Sequence, residues 1–219
     1  QKTPCFSRGD WYTSSMKRVI LASQSPRRRD LLTRMGVEFE AITSNFDEKL
    51  DDSRDVTIVA KELALGKAMA VAEANPDAYV IGSDTIVTLN GKQLEKPTSP
   101  ENAHEMIKAL CDTVNYSVTG LAVVCIDDNV RLMDSDTTAV FFGPYDKQAV
   151  DAYVATGDPM DKAGAYSVQR LYGSLVTRVE GDMDTIMGLP TAKLASLLHQ
   201  CGIEANALEI SPQNVADIV

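Results

Sequence analysis

Cysteine and histidine are scarce in this chain of 219 residues, which has four of the first and two of the second. The cysteines (Cys5, Cys111, Cys125, Cys201) form no C-x-x-C pair and no ligand-like spacing. That argues against the common zinc patterns and fits a reduced intracellular setting, the cytoplasm. His104 and His199 both fall inside helical patterns. They read as surface or packing residues, so His-dependent triads and His-based metal sites drop out. Long apolar runs are missing too: none approaches the roughly 18 residues of a membrane span, and the N-terminal stretch lacks a signal core. Positive charge is also short, with a formal net charge of −10. A protein that coats nucleic acid needs a broad basic surface, so nucleic acid is not an expected partner. A small anion needs only a local cluster of cations. On so acidic a chain, any dense basic cluster stands out.

What is present is ordinary for a globular protein, with 44% hydrophobic and 24% charged residues. The length suits one domain, or two lobes sharing one sheet. Residues 1–15 are polar, precede Met16 and read as a mobile extension, with the domain proper over 16–219. A short apolar strand, Val19 to Ala22, leads into Ser23-Gln24-Ser25-Pro26, where Ser25 suits an N-cap and Pro26 the first helical position. That helix runs to Gly36, and Val37 to Ile42 reads as a strand. Helical periodicity covers Val56 to Ala74, with Val56, Val59, Ala60, Leu63, Ala70 and Val71 on one face. Tyr79 to Gly82 is a buried strand, and Thr85 to Leu89 continues into the Asn90-Gly91 hairpin signal. A helix over Pro100 to Leu110 precedes two β-rich runs, Tyr116 to Ile126 and Val130 to Phe142, joined by a second turn. Helices over Lys147 to Ala155 and Thr191 to Gln200 flank a strand from Ser174 to Val179. The alternation predicts an α/β fold, and the hairpins make the sheet mixed.

Arg27, Arg28 and Arg29 sit in the first turn of the first helix. Cations there oppose the helix dipole, by about 0.3–1 kcal/mol each. An anion at the helix start would reverse that cost, using backbone N–H groups and the arginine forks together; the alternative is a solvated basic patch. Lys67 interrupts the apolar stripe of its helix, and so either snorkels to the edge or aims its ammonium into a cleft. Asp84 follows a buried strand, where ligands of α/β sheets gather, although Asp also suits a turn. Glu95-Lys96-Pro97 closes the hairpin and in isolation is only a turn.

Taken in order, Ser23-Gln24-Ser25-Pro26-Arg27-Arg28, Gly82-Ser83-Asp84-Thr85, Glu95-Lys96-Pro97, Asp161-Lys162-Ala163-Gly164-Ala165-Tyr166 and Gly188-Leu189-Pro190 resemble the Maf family over roughly Val19 to Leu198. The resemblance implies a mixed twisted sheet flanked by helices, elongated, with a deep nucleotide-binding cleft between two lobes (Maf/ITPase-like). It also implies hydrolysis of a nucleoside triphosphate to the monophosphate and pyrophosphate. Asp84 matches the proton acceptor, while Ser23, Ser25, Arg27, Arg28, Lys67 and Lys96 match nucleotide-holding positions. Glu48 matches an acidic position for a divalent cation, Mg²⁺ or Mn²⁺, which Asp84 would share. Arg27, Thr85 and Gln169 are of the kind found in the subtype acting on dTTP and UTP. A second subtype prefers 7-methyl-GTP, and a nucleotide-binding regulator of cell division is the non-enzymatic alternative. Ser167-Val168-Gln169-Arg170 departs from the usual Gly-Ile-Gln-Gly, removing backbone freedom near the base pocket. The implied partners are a small nucleoside triphosphate and at most a second copy of the chain.

Overall fold

A computed structural model of the chain describes residues 17–47 and 53–212. The extension over 1–15 and Glu48 lie outside the described residues. Strand β1 (Val19–Leu21) feeds helix α1 (Pro26–Arg34), then β2 (Glu40–Ala41) and α2 (Val56–Ala72). Next come β3 (Tyr79–Leu89), β4 (Lys92–Leu94) and α3 (Pro100–Leu110). The hairpin β5 (Val114–Cys125) and β6 (Val130–Phe142) precedes α4 (Lys147–Ala155). Last are α5 (Val168–Leu171), β7 (Val176–Glu180), α6 (Met183–Met187) and α7 (Thr191–Gln200).

The strands form one sheet in the order β2-β1-β3-β5-β6-β7, with β4 paired to β3. Strands β1, β2 and β3 run parallel, and the remaining pairs are antiparallel. The mixed α/β expectation holds. Strand β5 is buried almost throughout because helices cover both of its faces. Leu121, Val123 and Cys125 point to the core shared with α1, α3, α4, α6 and α7, while Ala122 and Val124 meet α2.

Helix α2 starts where Asp55 accepts the N–H groups of Thr57 and Ile58. It lies almost on the sheet backbone. A Cβ added at Gly82 would stand 2.0 Å from the Ala64 carbonyl oxygen, and one at Gly120 would stand 2.1 Å from that of Ala60. Those two positions tolerate no side chain because helix and strand touch there. Gly120→Ala should therefore force α2 off the sheet, at about 1–3 kcal/mol or more for overpacking. At roughly 2–4 °C per kcal/mol, thermal unfolding should show a melting temperature several degrees lower. An unchanged melting temperature would mean that the helix shifts freely.

Several expectations are corrected here. The strand expected over Val37 to Ile42 shrinks to two residues, since only Glu40 and Ala41 pair with β1. Two strands expected around Gly82 and Thr85 are one, β3, which runs through Ser83 and Asp84. Ala70 is exposed, and the buried face of α2 uses Ala64, Leu65 and Ala68 instead. The strand expected from Ser174 starts at Val176.

Candidate active site

The site exists because β3 outruns its neighbour. On one flank β3 pairs with β1 through Ile81 and with β4 only from Val87. Between those pairings, residues 82–86 have a strand partner on the β5 side alone. The chain leaving β1 turns at Ser23 to Pro26 beside this notch and starts α1. A cleft of about 720 Å³ opens there. Ser23, Ser25, Arg27 and Arg28 line it from the start of α1, and Lys67 lines it from α2. Asp84 and Thr85 come from β3, Lys96 from the loop after β4, and Gln169 from α5. Every expected site residue that is described therefore faces one cavity. Arg29 does not line it and is exposed, so the basic triplet divides by position.

Asp84 is 6% exposed and points toward α2, where its Oδ1 accepts a hydrogen bond from the Lys67 ammonium. The close approach of α2 at Gly82 brings these two side chains together. A carboxylate this buried needs such a partner. Lys67 thus neither snorkels nor stands alone.

Arg28 is held at several points. Its Nε donates to the Gly188 carbonyl at 2.8 Å, Nη1 to Ser23 Oγ at 3.3 Å and Nη2 to Thr85 Oγ1 at 3.2 Å. Ser83 Oγ donates to the same Gly188 carbonyl at 2.7 Å. Gly188 has φ +95°, and a Cβ there would lie 3.0 Å from both Arg28 Nε and Thr85 Oγ1. Only glycine suits that place.

The hydroxyl hydrogens behind Arg28 can be assigned from the partners. Thr119 Oγ1 donates its one hydrogen to the Thr185 carbonyl at 2.7 Å. The 2.9 Å contact between Thr85 and Thr119 must then be a donation from Thr85. Thr85 in turn accepts from Arg28. Its hydrogen is committed inward, and on the cleft side its oxygen holds Arg28.

The turn carrying Gly188 is pinned by Asp184, whose Oδ2 accepts the Thr191 N–H at 2.7 Å and the Thr191 hydroxyl at 2.5 Å. Its Oδ1 is buried and has no hydrogen-bond partner among the described residues. Burial pushes the Asp184 carboxyl above the usual carboxylate range, against the opposing pull of the Thr191 hydrogen bonds. A raised folded value stabilises fully below the unfolded value of about 3.9 and loses that contribution as pH rises through the folded value. Asp184→Asn keeps an acceptor for Thr191 and cannot ionise. It should raise stability by about 1 kcal/mol near neutral pH, or roughly 2–4 °C in melting temperature. The gain should vanish as pH falls to about 4. Melting curves across that range test it, and a gain independent of pH would refute the cause.

The Asp161-Lys162 pair also lines the cleft, although sequence reasoning gave it no role. Lys162 Nζ bonds the Asp158 carbonyl at 2.8 Å, Asp158 Oδ1 at 3.0 Å and Asp161 Oδ1 at 2.7 Å. The opposing charges inside one short motif were the signal. The departures at Ser167 and Arg170 cause no strain: Ser167 has φ −120°, ordinary for serine, and Arg170 lies in α5.

Among the described residues no group of three or more His, Cys, Asp or Glu side chains is placed to hold a metal. An all-protein cage is therefore absent from them. A hard cation held by one or two carboxylates and completed by phosphates and water fits the buried carboxylate of Asp84.

Cations around one buried carboxylate, in a notch at strand ends, define a protein built to hold a phosphorylated small molecule. Helix α1 opens its N-terminus on that notch. The chain belongs to the Maf family: residues 18–201 match it under the description Maf-like protein. It is 41% identical over 189 residues to the dTTP/UTP pyrophosphatase of Desulforamulus reducens, covering 86% of this chain and 99% of the relative. With the dTTP/UTP pyrophosphatase of Clostridium perfringens it shares 40% over 188 residues, 85% of this chain and 98% of that one. A solved nucleoside-triphosphatase / dITP/XTP pyrophosphatase from Mycobacterium abscessus overlaps 57% of this chain and 74% of its own, with 13% identity and a TM-score of 0.39. No described helix is long and apolar enough to cross a membrane.

Proposed function

We propose that the chain is a nucleoside triphosphate pyrophosphatase that hydrolyses dTTP and UTP to the monophosphate and pyrophosphate. The observation that carries this is a buried carboxylate, Asp84, in one cleft with Arg27, Arg28, Lys67 and Lys96. The names of the relatives support the choice of substrate.

In this reading Asp84 accepts a proton from water as its oxygen attacks the α-phosphorus. The bond from that phosphorus to the oxygen bridging to the β-phosphorus breaks, and pyrophosphate leaves with its charge met by cations. Lys67 holds the Asp84 carboxylate in place through its hydrogen bond to Oδ1. Arg28, fixed by Gly188, Ser23 and Thr85, holds phosphate oxygens at the start of α1, with Arg27 and Lys96 nearby. Ser23 and Ser25 add hydroxyls beside Arg28, and Gln169 lines the same cleft. Asp84 and Glu48 would hold a divalent cation, Mg²⁺ or Mn²⁺, which would neutralise charge on the phosphate oxygens.

The test is a panel of common and modified nucleoside triphosphates, 7-methyl-GTP included, scored for product. UTP and dTTP should give monophosphate and pyrophosphate, and chelation of divalent cations should abolish turnover. Orthophosphate as product would place the attack at the γ-phosphorus and end this assignment. Preference for 7-methyl-GTP would end the substrate assignment alone.

A further inference from the structure

Ser117 Oγ and Gln169 Nε2 are buried polar atoms with no hydrogen-bond partner among the described residues. Both residues line the cavity. Ser117 is 1% exposed, and it sits on β5 opposite Val87, on the same strand face as Asn115 and Thr119. Thr119 belongs to the chain behind Arg28, whereas Asn115 Oδ1 accepts the Tyr166 hydroxyl at 2.6 Å. Ser117 therefore lies between the cationic end and the aromatic end. Val87 pairs with it, and the same cavity is also lined by Tyr166, Val168, Met183 and Met187. An apolar-walled compartment with a few placed polar atoms suits a flat heterocycle.

A buried hydroxyl without a partner is costly in the empty protein, and a ligand group that meets it recovers that cost. Both atoms can donate. Uracil and thymine present two carbonyl oxygens flanking a ring N–H, so two donors meet two acceptors. We infer that Ser117 is a base-reading residue, its hydroxyl donating to one pyrimidine carbonyl while the Gln169 amide donates to the other. This rests on the pyrimidine nucleotide reading above and adds to it a residue on the sheet itself.

Ser117→Ala removes the donor and little volume. Its kcat/KM for UTP and dTTP should fall about tenfold, the loss of one hydrogen bond to substrate. Inhibition by UMP should weaken by the same factor, while inhibition by pyrophosphate, which occupies only the cationic end, stays unchanged. Melting temperature should hold or rise, since an unmet polar group has gone. Unchanged kcat/KM in Ser117→Ala beside an active parent overturns this assignment and leaves the pyrophosphatase reading intact. Equal weakening by UMP and pyrophosphate, or a melting temperature several degrees lower, overturns it as well by making the hydroxyl structural. A parent that hydrolyses neither UTP nor dTTP overturns both readings.

Discussion

Asp84→Asn should lower kcat for UTP at least about 10²-fold while the protein stays folded, because general-base catalysis contributes roughly 10²–10⁴. The amide matches the carboxylate in shape, so the water and phosphate geometry should persist and the loss should fall on turnover. One side effect is expected. Lys67, only 12% exposed, loses its anionic partner, and a small drop in melting temperature should accompany the loss of activity. Steady-state kinetics with a circular dichroism melt separates the two. Near-normal turnover in the folded variant would remove Asp84 from the proton transfer.

The second large effect concerns neighbours in sequence with opposite fates. Arg28→Ala should cost about 10²-fold or more in kcat/KM, since hydrogen bonds to charged groups are worth about 1.5–3 kcal/mol and this guanidinium makes several. Arg29→Ala, at an exposed position outside the cleft, should change kcat/KM by less than about twofold. Arg28→Lys should not rescue, because an ammonium cannot reach Gly188, Ser23 and Thr85 from one plane as the fork does. Equal losses at positions 28 and 29 would mean that the cluster acts through bulk charge, and the site as drawn would fail.

Local chemistry was readable in the sequence wherever it sufficed to fix the structure. The Ser25-Pro26 helix start, the Asn90-Gly91 turn with φ values of 52° and 77°, and the helix over Lys147–Ala155 all stand as expected. Ser83 and Asp84 looked like a strand end because polar residues rarely continue a buried strand. They do so here because Ser83 finds the Gly188 and Gly120 carbonyls and Asp84 finds Lys67. Those partners lie far away in sequence, and no window contains them. The face of α2 was misassigned at Ala70 because alanines on every side give little contrast. Helix α6 and the turns around Asp158 and Val168 are too short for periodicity to mark. At the site, motif order supplied the residues. The grip on Arg28 joins positions 160 apart, and only the fold reveals it.

The hydroxyl chain behind Arg28 bears on how such a site diverges. Thr85 cannot be exchanged on its own merits, because Thr119 has already given its only hydrogen to Thr185 and needs a donor at position 85. An acceptor-only side chain there would face an oxygen with nothing to offer, and an apolar one would remove both the donor to Thr119 and one acceptor of Arg28. Drift at position 85 is therefore viable only alongside a matching change at position 119 or 28. Positions 28, 85 and 119 thus constrain one another as a set, and a single replacement at any of them unsettles the other two.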